Sequence, residues 1–271
     1  MPPTGSVRGI GSKCLGFTLI ELIIVIVVMG ILSVGSVRFI SQSTQGVIDA
    51  GERQRVASIG IIAMEKISRE MREALPNSIR IDVSGDCIEF VPTKGGSEYL
   101  TAPVLTASNT LDVIRTGYAT FLNTTFDRVA LFPILTAEVY AALNPGPISS
   151  VINTLPDTSP TEVVTLSSSH QFLTDSPERR FYIVSDPVTY CVASGFLYRY
   201  NNYGFDAVMG ASRPTNFAGG REVIASQLTN ANFDYVSASL SRNAVVKIEL
   251  TIADGGEVQT LEYEVLIRNV P

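Results

Sequence analysis

The sequence predicts an α+β protein, with one long amino-terminal helix followed by a β-rich, mainly antiparallel domain. Three observations carry this expectation. Phe17 to Val37 is an apolar run whose only charged residue is Glu21, long enough to cross a bilayer as a helix at ~1.5 Å rise per residue. Helical periodicity then continues as far as Pro76, where the residue before a proline is pushed out of the helical region. From Ser78 the pattern changes to apolar alternation between clusters of Gly, Pro, Asn and Asp, the mark of short strands.

Residues 1–16 form a polar leader whose only charges are Arg8 and Lys13. A secretory signal places its small-residue cleavage site after the apolar region; here Gly16 precedes it. Cleavage after Gly16 would leave the apolar segment on the mature chain, with a new amino terminus at Phe17. The two basic residues put the leader in the cytoplasm and the remainder outside it. Lipid attachment at Cys14 is excluded because the apolar region follows the cysteine. In such a span a carboxylate costs roughly 2.5–3.5 kcal/mol on insertion scales, which makes Glu21 a functional candidate in need of a partner. Beside another subunit's terminal ammonium it becomes an ion pair that sets axial register. The plainer alternative is an interfacial residue of an ordinary anchor.

The string Lys13-Cys14-Leu15-Gly16 followed by Phe17-Thr18-Leu19-Ile20-Glu21 resembles the class III leader and cleavage site of type IV pilins and of the pseudopilins of type II secretion. The resemblance covers about a tenth of the chain. It implies that a prepilin peptidase cuts between Gly16 and Phe17 and methylates the amine of Phe17. It also implies that Glu21 pairs with the amino terminus of a neighbouring pilin subunit, and that a separate ATPase and a platform protein drive assembly from the inner membrane. Where type IVa major pilins usually carry a proline, this sequence has Arg38, which argues against a bulk subunit. The size of the head, with Ser68–Ala74, Val188–Cys191 and Gly195–Tyr200, is similar to the large minor pilins of the MSHA pilus type, with J-type pseudopilins and PilW-type proteins as relatives. The nearest alternative is a J-type pseudopilin of a type II secretion system, and a further one is a tip adhesin or glycan-binding head.

The second half of the helix, residues 38–76, keeps Ile59, Ala63, Ile67, Met71 and Leu75 on one face. The whole helix would be close to 90 Å long. The head, 77–271, offers strands at Ser78–Val83, Cys87–Thr93, Leu111–Arg115, Arg128–Ile134, Arg180–Ser185, Val188–Ala193 and Phe196–Asn201. Val245–Ala253 and Val258–Arg268 flank Asp254-Gly255-Gly256-Glu257, a hairpin signal. A short helix is expected over Ala137–Leu143 and a long surface loop over Asn144–Pro160, which is rich in Pro, Ser and Asn.

With 20 basic and 26 acidic residues the chain carries a net charge of −6, and no basic cluster suits nucleic acid. After loss of Cys14 two thiols remain, Cys87 and Cys191. In an oxidising periplasm they are expected to form a disulfide, the alternative being two separately buried thiols. Groups for catalysis are scarce. The single histidine, His170, reads as a solvated residue of a polar loop, no Gly-x-Ser-x-Gly elbow or phosphate-binding Gly-rich loop is present, and no enzyme, cofactor or metal is expected. For calcium the candidates are Asn201, Asn202 and Asp206, or Asp254 and Glu257, neither with EF-hand spacing; ordinary turn chemistry explains them better. Tyr190, Tyr198, Tyr200 and Tyr203 read as cross-strand partners rather than a binding surface.

Overall fold

A computed structural model describes residues 16–118, 121–237 and 244–267. Arg8, Lys13 and Cys14 of the expected leader and Arg268 of the expected last strand lie outside them. The chain falls into two units, one ending at Gly51 and one beginning at Glu52, and a single helix, α1 (Leu19–Met71), supplies residues to both.

In the first unit α1 is apolar from Leu19 to Val37 apart from Glu21, and its most hydropathic stretch, mean hydropathy 2.6, contains no buried residue. By length and composition it is able to cross a membrane. In the second unit the helix buries Val56, Gly60, Ala63, Met64, Ile67, Ser68 and Met71, a stripe recurring every three or four residues as an amphipathic helix requires. That stripe packs against two antiparallel sheets. One has the order β1 (Arg80–Ile81), β2 (Cys87–Phe90), β9 (Val188–Ala193), β10 (Phe196–Tyr200), β11 (Arg221–Ser226); the other joins β12 (Leu228–Val236), β13 (Ala244–Asp254) and β14 (Glu257–Ile267). Ile67, fully buried in this core, contributes ~1.5–3 kcal/mol by removal from water alone. At Gly60 the packing is close: a Cβ would overlap the end of the Leu261 side chain and lie 2.9 Å from Ile252 Cδ1, and both ends would have to turn aside to admit it.

Between β2 and β9, neighbours in one sheet, the chain builds a closed antiparallel barrel. Its strands are β3 (Thr93–Thr101), β4 (Ser108–Ile114), β5 (Arg128–Ala130), β6 (Ile148–Thr154), β7 (Thr161–His170) and β8 (Arg180–Val184), in the order β3-β4-β7-β6-β5-β8. Leu111, Val113, Val129, Ile152, Val164 and Phe181 fill its interior. Helix α2 (Thr136–Tyr140) lies against its outside through Val139 and Tyr140, which share a cluster with Leu75, Val91 and Ile148. The barrel also holds a buried ion pair, Lys94 Nζ to Asp127 Oδ1 at 2.6 Å, with Asn123 N donating to the other carboxylate oxygen.

Two expectations are corrected here. The segment Asn144–Pro160 is not a surface loop throughout: it contains β6, whose Ile148 and Ile152 are buried, because two apolar residues at even spacing suffice to seat a strand when barrel neighbours complete its ladder. His170 is not solvated. It ends β7 with 4% of its surface exposed, hydrogen-bonded through Nε2 to the Gly146 carbonyl at 2.9 Å and edge-on to Phe172. Burial holds its pKa below the ordinary 6.5. Its contribution to stability is therefore complete above 6.5 and is lost as pH falls through the lower folded value. The wild-type protein is expected to lose more melting temperature than His170→Gln on acidification across that window, measured by thermal denaturation of both.

Candidate assembly and processing site

The amino-terminal end of α1 begins with a capping arrangement. Thr18 precedes the first helical residue and its Oγ1 accepts a hydrogen bond from Glu21 N at 3.3 Å. Thr18 and Glu21 stand in the Thr-x-x-Glu spacing of a capping box, and a carboxylate in the first turn complements the positive end of the helix dipole. Thr18 was absent from the sequence-derived site, although that spacing was the signal for it.

Gly16 and Phe17 lie just before this turn, and both are exposed. A Cβ on Gly16 would touch nothing, and the same holds for Gly30, Gly35, Gly46 and Gly51. No fold contact requires glycine at these five positions, and each of the four within α1 weakens the helix by up to ~1 kcal/mol. Large apolar side chains from Phe17 to Ile40 remain open as well, among them Leu19 at 77% and Phe39 at 71% exposure. This surface lacks any intramolecular cover among the described residues of its unit.

In the second unit Cys87 and Cys191 are direct cross-strand partners of β2 and β9 and are joined as a disulfide, with the Arg213 guanidinium against both sulfurs. Alkylation of the unreduced protein is expected to modify neither thiol, and mass spectrometry after reduction should show both labelled.

The candidate calcium ligands have other partners. Asp254 and Glu257 end the β13–β14 hairpin and pair with Arg55 and with Arg53, the latter at 3.0 Å. Asp206 accepts from Val208 N and Ser212 Oγ, while Asn202 occupies a left-handed turn conformation with φ of 57°. No group of three or more His, Cys, Asp or Glu side chains could hold a metal among the described residues. The tyrosines divide. Tyr190 is buried in the core, Tyr198 and Tyr200 are half-buried on β10, and Tyr203 donates to a buried carboxylate, Glu89 Oε1, at 2.7 Å.

Glu89 is the centre of a polar knot that sequence reasoning missed. Its side chain is 1% exposed. It is paired with Arg80 and lies 3.3 Å from Thr189 Oγ1. Arg80 in turn lies 3.6 Å over the Tyr140 ring and donates to the carbonyls of Asp206 and Ala207, tying β1, β2, β9, α2 and the segment after β10 together. Only the charged residues at 80 and 89 on adjacent short strands hinted at it.

Residues 11–37 match the family model of the prokaryotic N-terminal methylation motif. That motif indicates a type IV pilin- or pseudopilin-type protein, implies processing by a prepilin peptidase, and together with the apolar helix supports membrane anchoring. Comparison with curated proteins and with solved structures finds no match.

Proposed function

We propose that this chain is a minor type IV pilin of the MSHA type, cut between Gly16 and Phe17, N-methylated on Phe17 and anchored in the inner membrane by residues 17–37. From Arg38 the same helix continues as far as Met71, and residues 77–271 form a periplasmic head. Glu21 then receives the amino terminus of a neighbouring subunit, and other pilins cover the open face of the helix. One observation carries the reading: a capped helix start at Thr18 with a carboxylate in its first turn, followed by an apolar surface that nothing in its own unit covers. The six-stranded barrel inserted between β2 and β9 supports a place at the tip or in an initiating complex, since added bulk on a head crowds lateral neighbours in a repeated lattice.

The protein extracted from membranes is expected to begin at Phe17 and to carry one added methyl group, read by intact-mass and amino-terminal analysis. A chain that still begins at Met1, or an unmodified Phe17, would overturn the processing step.

A further inference from the structure

The three-stranded sheet ends on β14, and no backbone hydrogen bond reaches its outer edge among the described residues. The strand is 11 residues long and pairs with β13 residue for residue, from Glu257 opposite Asp254 to Ile267 opposite Ala244, without a bulge. On the side away from β13, alternate residues turn an unpaired N–H and C=O outward. Edges of this length are commonly blunted by proline, lysine or a bulge; β14 has none of these.

The two faces of the strand differ, because successive side chains point to opposite sides. Toward α1 stand Leu261, which packs on Gly60, and Tyr263, whose hydroxyl accepts from Arg72 Nη2 at 3.0 Å. Between strand and helix runs an open groove of about 510 Å³, its apolar lining supplied by Ile61, Met64, Leu261 and Tyr263. The other face carries Thr260, Glu262 and Glu264, all exposed. Glu262 stands directly across from Glu249 on β13, a like-charge pair of the kind that weakens a sheet. Neither carboxylate has an ion-pair or hydrogen-bond partner among the described residues, whereas Glu264 faces Lys247 at 3.6 Å.

A strand laid along this edge would alternate in the same way. Its residues opposite Leu261 and Tyr263 would enter the groove, and its residue opposite Glu262 would lie one strand spacing away, about 4.8 Å, where a cation offsets the repulsion between Glu262 and Glu249. A second copy of β14 paired about its middle would instead set Glu262 and Glu264 against the same acids, so charge disfavours self-association.

We propose that the free edge of β14 takes up an extended segment of another protein by strand addition, with alternate apolar side chains in the groove beside α1 and lysine or arginine opposite Glu262 and Glu264. The surface belongs to the second unit alone and does not depend on leader cleavage.

The test uses the full-length chain in detergent and three synthetic peptides: acetyl-Thr-Val-Lys-Val-Lys-Val-Thr-amide, the same peptide with glutamate for both lysines, and the lysine peptide with proline for its central valine. Calorimetry is expected to show saturable binding of the first, binding of the second weaker by about tenfold, and no binding of the third, whose proline cannot donate to a ladder. Amide hydrogen exchange should slow in β14 and stay unchanged in β11, the edge of the other sheet. Glu262→Lys, an exposed substitution that also ends the repulsion with Glu249, should keep the melting temperature and lose the preference for lysine over glutamate. No saturable binding of the lysine peptide would overturn the proposal. Equal binding of the proline peptide or unchanged exchange in β14 would do the same, as marks of unspecific attraction to an acidic chain, and so would a preference that Glu262→Lys leaves intact. A dimer in sedimentation that the lysine peptide disperses would make a second copy the occupant and overturn it as well.

Discussion

Glu21→Leu is expected to remove the chain from filaments while seating it more firmly in the membrane. A carboxylate at the centre of an apolar span costs roughly 2.5–3.5 kcal/mol on insertion scales and less toward the ends, where Glu21 stands in the first turn, whereas leucine is favourable throughout. The substitution therefore improves insertion. On the proposed reading it also deletes the acceptor for a neighbour's terminal ammonium, the ion pair that would set how far each subunit slides along the next. The Thr18 cap is kept, because Thr18 Oγ1 bonds the backbone N–H of residue 21 rather than its side chain, and the helix start loses only the carboxylate's dipole contribution, about 0.3–1 kcal/mol. Membrane fractions of cells should hold the variant at wild-type level or above, and sheared filament fractions should lack it. Unchanged uptake into filaments would remove the assembly role from Glu21.

Arg80→Ala is expected to destabilise the head by about 3–5 kcal/mol, the range for stripping one partner from a buried ion pair. Glu89, with 1% of its side chain exposed, would keep only the hydroxyl hydrogens of Tyr203 and Thr189 against its charge. The loss also uncovers the Tyr140 ring and frees the carbonyls of residues 206 and 207. Chemical denaturation of the full-length protein reads the magnitude. The companion Arg80→Met/Glu89→Leu should recover much of the stability, since replacing both members of a buried pair by apolar groups is often neutral or better. Equal loss in single and double variants would show that shape rather than charge is at stake.

What could be read from the sequence follows from how local each signal is. The long helix needed only periodicity, but it stops at Met71, short of Pro76, because Ala74 already bridges to Pro92. The closing hairpin needed only the two glycines, and Gly255 and Gly256 do take positive φ of 59° and 90°, as a tight two-residue turn demands. The strands β9 and β10 were legible through runs of Val, Tyr and Phe. By contrast β3 carries Gly95-Gly96, which reads as a break. In the fold a Cβ on Gly96 would come 2.7 Å from the Phe181 carbonyl, so the glycine permits close approach of β8 rather than ending a strand. Of the serines that made 144–160 and 167–169 look like loops, Ser167, Ser168 and Ser169 are exposed on β7, Ser150 is half-buried on β6 and Ser149 is buried against Val129, and the buried apolar residues are spaced too sparsely to stand out. Barrel closure was illegible for a deeper reason: it depends on pairings such as β3 with β8 that join residues far apart in the chain. Of the candidate site, Gly16, Phe17 and Glu21 came from a contiguous string. The Arg80–Glu89 knot and the groove between α1 and β14 arise only when distant segments meet.

The barrel departs from β2 and returns on β9, and those two strands are hydrogen-bonded neighbours. Its doorway is therefore a single strand spacing wide, about 4.8 Å, so the supporting sheet need not stretch or re-register to admit it. Such an attachment behaves as a cassette. The helix and the two sheets beneath can stay constant for subunit docking while the cassette is enlarged, exchanged or given new ligand contacts, which separates the evolution of what the filament touches from the evolution of how it is built.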